Sequence, residues 1–155
     1  MYSMRRTDRQ ISREEAMELL KRAEYGVLST VGPDGEAYGV PLTFALDEES
    51  GTLLFHCATA GRKLDCLRAH PRAQFVVVAD TKVLPDVFSI EYTSAMVEGT
   101  VEILDDPDVK KKSAVKIAAK YSDKDASAYA ASAVDKYLIL RMTVAAVSGK
   151  RLCRS

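Results

Sequence analysis

Leu53-Leu54-Phe55-His56-Cys57-Ala58-Thr59-Ala60-Gly61-Arg62-Lys63-Leu64-Asp65-Cys66-Leu67 is an apolar strand that runs through a loop of small residues into Gly-Arg-Lys, where a helix is expected to begin. Such a junction suits a bound phosphate. A glycine lets backbone N–H groups approach an anion, the free N–H groups of a helix start point at it, and two cations offset its charge. Arg62 offers a planar fork and Lys63 a mobile ammonium. The alternative is a solvated basic helix start, because Arg and Lys are mostly exposed residues. The surrounding pattern has to decide between the two.

Upstream, Ser12-Arg13-Glu14-Glu15 has the spacing of a capping box and predicts a helix over about 12–23, with Ala16, Met17, Leu19, Leu20 and Ala23 on its buried stripe. Tyr25–Val31 and Glu36–Leu46 read as strands joined by Gly32-Pro33-Asp34-Gly35, and Thr52–Cys57 follows the turn Asp47–Gly51, so three strands in a row form a meander. Pro41 has no N–H to give a ladder, which places an edge or a bulge there and frees backbone groups to face a ligand. Downstream, Arg62–Ala69 is a short helix closed by His70-Pro71, where His70 is a helix-end residue. The run Ala73–Asp80, rich in β-branched residues, reads as a strand buried on both faces. Ile90–Leu104 is a long strand with Gly99 at a bend. Asp105-Asp106-Pro107-Asp108 starts a helix reaching about Tyr121, Ala126–Val134 forms a shorter one, and Tyr137–Val147 is the last strand.

These elements predict one domain over 1–155. It is mainly β with flanking helices: a six-stranded antiparallel split barrel over about 25–104 and 136–147, with a helical insertion over about 107–134. Lys+Arg and Asp+Glu each number 22 and cancel, which removes the electrostatic footprint of a nucleic-acid binder. No apolar run approaches the roughly 20 residues of a membrane span, and Met1–Arg6 lacks the apolar segment of a signal peptide, so a cytoplasmic protein without membrane contact is expected. Cys57, Cys66 and Cys153 show no CxxC spacing and read as buried thiols, and with only His56 and His70 beside them no metal site is expected. Tyr121, Tyr129 and Tyr137 read as ordinary core or as a covered subunit surface, without a catalytic role.

The order of motifs resembles the pyridoxamine 5′-phosphate oxidase-like superfamily of FMN-binding split barrels, in particular its branch related to 5-nitroimidazole reductases. The resemblance spans about Arg5 to Gly149. It is carried by Phe55-His56-Cys57-Ala58, Gly61, Lys63, Asp65 and Leu67, followed by Arg68 and Pro71. Gly26–Thr30, Pro41–Phe44 and Tyr92-Thr93-Ser94 with Gly99 support it.

The resemblance implies a homodimer with FMN in grooves at the subunit interface, and an oxidoreductase that passes electrons from a reduced nicotinamide to a small electron-poor acceptor such as a nitro compound or quinone. Residue by residue, Gly61, Arg62 and Lys63 would hold the FMN phosphate. Leu28, Ser29 and Thr30 would line the flavin, and Pro41, Leu42 and Thr43 would lie along the neighbouring strand. His56 would stand near the ring or ribityl chain, as a proton donor, as a hydrogen-bond partner of the cofactor or as a structural residue. Ser94 would serve the flavin, the core or the dimer seam. Relatives also hold haem or a deazaflavin in the same groove, so a flavin- or haem-sequestering protein without turnover is the alternative. The chain is shorter than the vitamin-processing oxidases and lacks their C-terminal substrate-binding arrangement, so pyridoxamine phosphate oxidation is not expected.

Overall fold

The computed structural model describes residues 3–154. Ser12 caps helix α1 (Arg13–Arg22) as the spacing predicts: its hydroxyl accepts from the Glu15 N–H, and the Glu15 carboxylate accepts from the Ser12 N–H. Strands β1 (Gly26–Val31), β2 (Ala37–Leu42), β3 (Ala45–Asp47) and β4 (Thr52–Cys57) follow. Next come helix α2 (Arg62–Ala69) and the long strands β5 (Arg72–Leu84) and β6 (Ser89–Leu104). Helices α3 (Pro107–Tyr121) and α4 (Ser127–Ser132) then lead into β7 (Leu138–Leu152).

All strands belong to one antiparallel sheet in the order β2-β1-β5-β6-β7-β4-β3. There are seven strands rather than the expected six. The stretch Glu36–Leu46, read as a single strand, breaks at Thr43-Phe44. Its first half pairs with β1 and its second half with β4, at opposite ends of the sheet. The expected three-stranded meander is therefore two separate hairpins sharing one broken strand, and the two-residue break joins the ends of the sheet covalently. Pro41 sits on an end strand, the place in a sheet where a residue without an N–H is tolerated.

The sheet curls about Phe44, Phe55 and Phe75, all fully buried. Phe75 meets Phe44 at 4.7 Å and Phe55 at 4.9 Å between ring centroids, both edge to face. Because β4 and β5 are separated by two strands in the sheet, only a barrel brings Phe55 and Phe75 together. Leu28, Leu53, Val77, Val97, Leu140 and Met142 complete the interior, with Leu19 and Leu20 of α1 and Leu64 and Leu67 of α2 packed into it. A second cluster, Ala45, Leu54, Ile117 and Ile139, holds α3 against the outside of β3, β4 and β7. Gly99 lies at a register shift between β6 and β7 as predicted, and a Cβ there would fall 2.0 Å from the Thr143 carbonyl oxygen.

β5 differs from expectation. Ala73, Phe75 and Val77 are buried, but Gln74 and Val76 are only partly covered and Val78 is 53% exposed, so the strand is fully buried on one face alone. Among the three cysteines, Cys57 and Cys66 are buried as expected, whereas Cys153 lies exposed beyond the end of β7. No helix among the described residues is long and apolar enough to cross a membrane, and no cluster of three metal-ligating side chains occurs among them.

Candidate functional site

The site begins with the backbone of Gly61, which has φ 141° and ψ 169°, a conformation essentially reserved for glycine. Nothing lies within 4 Å of where its Cβ would be, so the requirement is conformational rather than steric. Gly61 is the N-cap of α2 and has no side chain to satisfy the helix start; its carbonyl accepts from the Leu64 and Asp65 N–H groups. The N–H groups of Arg62 and Lys63 precede those bonds and stay available, at the positive end of the helix.

Arg62 is exposed and Lys63 half-buried. Neither forms an ion pair among the described residues, although α2 carries Asp65, which pairs with Arg68. The Arg62 guanidinium carbon lies 4.4 Å over the ring of Tyr38, on β2. That contact orients the fork without neutralising it. Tyr38 carries no sequence signal of its own, since it reads as one more strand residue. Lys63 and Arg68 pull the Cys57 thiol down, but burial outweighs them and pushes it up, which fits a packing thiol and not a thiolate.

The predicted site residues fall into four places. Around the start of α2 lie Gly61, Arg62 and Lys63, with His56 exposed near the end of β4 and the end of β1 close by. Along β1, Leu28 and Thr30 turn into the barrel while Ser29 turns outward; the Thr30 hydroxyl donates to the Tyr38 carbonyl at 3.2 Å. At the opposite end of β2, Pro41, Leu42 and Thr43 line a cavity of ≈ 650 Å³ together with Glu24, Tyr25, Lys120 and Tyr121. Ser94 is elsewhere, half-buried on β6 opposite Val78 and Lys150, two strands from β1.

The cavity holds residues that the sequence reading passed over. The Tyr121 hydroxyl accepts from the Phe44 N–H at 3.0 Å and lies 2.6 Å from the Glu24 carbonyl and 3.0 Å from the Phe44 carbonyl. It supplies the partner that Phe44 loses where the strand breaks. Tyr121 is thus not core: it is 44% exposed, and burial of its hydroxyl end pushes the phenol up. Tyr129 is exposed as well, while Tyr137 is half-buried and donates to the Ala130 carbonyl. Lys120 places its ammonium 3.6 Å from the Phe44 ring centroid.

Comparison with known proteins gives this geometry a context. The sequence profile of pyridoxamine 5′-phosphate oxidase matches residues 12–151. A curated relative, 5a,11a-dehydrotetracycline/5a,11a-dehydrooxytetracycline reductase of Streptomyces rimosus, is 36% identical over 66 residues, which are 41% of this chain. That alignment spans 46% of the reductase, so less than half of the relative's length is matched. Among solved structures, a candidate 5-nitroimidazole antibiotic resistance protein of Bacteroides thetaiotaomicron superimposes with a TM-score of 0.81 at 22% identity, covering 92% of this chain and 86% of that one. An FAD and heme binding protein of Mycobacterium smegmatis does so with 0.72 at 21% identity, covering 92% and 73%. At these identities the structural likeness shows the fold, and the profile match over residues 12–151 shows the lineage: the chain belongs to the pyridoxamine 5′-phosphate oxidase family.

Proposed function

We propose that this protein binds FMN and works as an oxidoreductase, passing electrons from a reduced nicotinamide to a small electron-poor acceptor, as a homodimer with the cofactor between subunits. One observation carries the reading: the start of α2 offers a glycine-only backbone turn, uncapped N–H groups and two cations without carboxylate partners among the described residues. That set of donors fits a phosphate monoester. From Tyr38, under Arg62, to Leu42 the chain advances roughly 13 Å along an end strand, so a molecule held at Arg62 by its phosphate has an unpaired strand edge on which to lay a ring. Family membership and the reductase name of the curated relative support the same reading.

In this assignment Gly61, Arg62 and Lys63 hold the phosphate, and Pro41, Leu42 and Thr43 border the ring. Ser29 offers a hydrogen bond from a half-buried position and His56 from an exposed one. FMN supplies, when bound, a ring that accepts a hydride from a nicotinamide and gives electrons to an acceptor. The protein's part is to bind, orient and shield it. Titration of the apo-protein with FMN tests this directly. Lys63→Ala should weaken binding about ten- to a hundredfold, the worth of a charge-assisted contact of ~1.5–3 kcal/mol. Absence of flavin binding by the unaltered protein at micromolar FMN rejects the reading.

A second reading, a protein that holds a flavin or haem without turnover, draws on the fold shared with the FAD and heme binding protein. A loaded protein whose flavin is not reduced by either nicotinamide would favour it.

A further inference from the structure

The cavity at the break between β2 and β3 has mostly flat or apolar walls, one carboxylate, that of Glu24, and a single cation. Tyr25, Pro41, Leu42 and Tyr121 present flat or apolar surface, Thr43 adds a hydroxyl, and Lys120 contributes its ammonium. That ammonium is poorly satisfied. It carries three donors, yet among the described residues its one hydrogen bond is a long contact of 3.4 Å to the Leu20 carbonyl. It rests on the face of Phe44 and forms no ion pair there, although Glu24 lines the same cavity. Of the other lysines of α3, Lys110, Lys111 and Lys116 each pair with an aspartate, and Lys112, which has no ion pair among the described residues, is exposed to solvent. Lys120 is the member of this helix left half-buried beside open space with no ion-pair partner among the described residues.

We infer that this cavity is the acceptor site and that it takes a flat conjugated molecule bearing an acidic oxygen, a carboxylate or an ionised enol, with Lys120 as its counter-ion. The inference rests on the proposed flavin reading in one respect, that the acceptor must reach a ring lying along β2. It concerns a different set of residues from the phosphate cradle. Burial alone lowers the Lys120 ammonium to about 8, so the cation is held at a cost that an incoming anion relieves. The titratable groups around it are Glu24 and Tyr25 from the segment between α1 and β1 and Tyr121 from α3 itself; the segment Pro41–Thr43 adds none.

Equilibrium binding of 4-nitrobenzoate and of its uncharged methyl ester, followed by quenching of tyrosine fluorescence, tests the site with and without FMN. At pH 7 the acid should bind at least about tenfold more tightly than the ester. Lys120→Met should erase that preference and Lys120→Arg should keep it. The preference of the unaltered protein should fade as the pH rises from 8 to 10, because the cation is lost there. Equal binding of acid and ester, or a preference that survives Lys120→Met, overturns the inference. So does a fall in FMN affinity in Lys120→Met, which would assign the cation to the cofactor instead. Failure of FMN to bind while the acid keeps its Lys120-dependent preference would overturn the flavin reading and leave the anion site standing.

Discussion

Gly61 and Lys120 are single residues whose surroundings fix what they can do. At Gly61 the constraint is the backbone itself, so Gly61→Ala should destabilise the fold by about 1–3 kcal/mol in urea unfolding, although no atom stands in the way of the added methyl. The same substitution should weaken FMN binding, since the N–H groups at the start of α2 would be re-aimed. At Lys120 the constraint is dielectric. Its folded value lies below the ordinary lysine range, so below about pH 8 the folded state carries a poorly solvated charge that the unfolded chain hydrates freely. Between pH 8 and 10.5 the unfolded chain binds more protons at this residue than the folded one. Its contribution to stability therefore rises across that window. Lys120→Met should accordingly be more stable than the unaltered protein at pH 7 and lose that advantage by pH 10.5, read from thermal unfolding at the two pH values. A side chain retained against stability is consistent with use by a ligand.

Elements, by contrast, were mostly legible because their signals are local. The Ser12/Glu15 box, the Asp106-Pro107 start of α3 and the Pro71 stop after α2 act within a few residues of chain, and each is found where the spacing places it. Ser12→Ala should cost about 1 kcal/mol, measured by denaturant unfolding, by leaving the Glu15 N–H without its cap. The strand Glu36–Leu46 was not legible in this way. Its residues favour extended structure throughout, and nothing local records that Phe44 must turn into the core and leave its N–H and carbonyl to Tyr121, 77 residues along the chain. The open side of β5 was hidden for a related reason. A run of valines reads alike whether a helix, a second subunit or water lies against it.

At the scale of the molecule, closure is the decisive event. It brings Phe44, Phe55 and Phe75 into one cluster from three separate places in the chain. Phe55→Ala should therefore cost about 3–5 kcal/mol and broaden the unfolding transition, because it opens a cavity where both flanks of the barrel meet. Closure also sets the Gly61-Arg62-Lys63 junction at one end of β2 and the Lys120 cavity at the other. The sequence by itself determined the helices with their caps, the antiparallel strands, Gly99 at its bend and the Gly61-Arg62-Lys63 junction, because each depends on conformational preference and charge within a short window. Only the tertiary structure decided that one strand is split between the two ends of the sheet, that Tyr38 lies beneath Arg62, and that Lys120 stands beside Pro41, Leu42 and Thr43 without an ion-pair partner among the described residues. Those facts depend on contacts between residues far apart in the chain, which exist only after the apolar interior has drawn the sheet around itself.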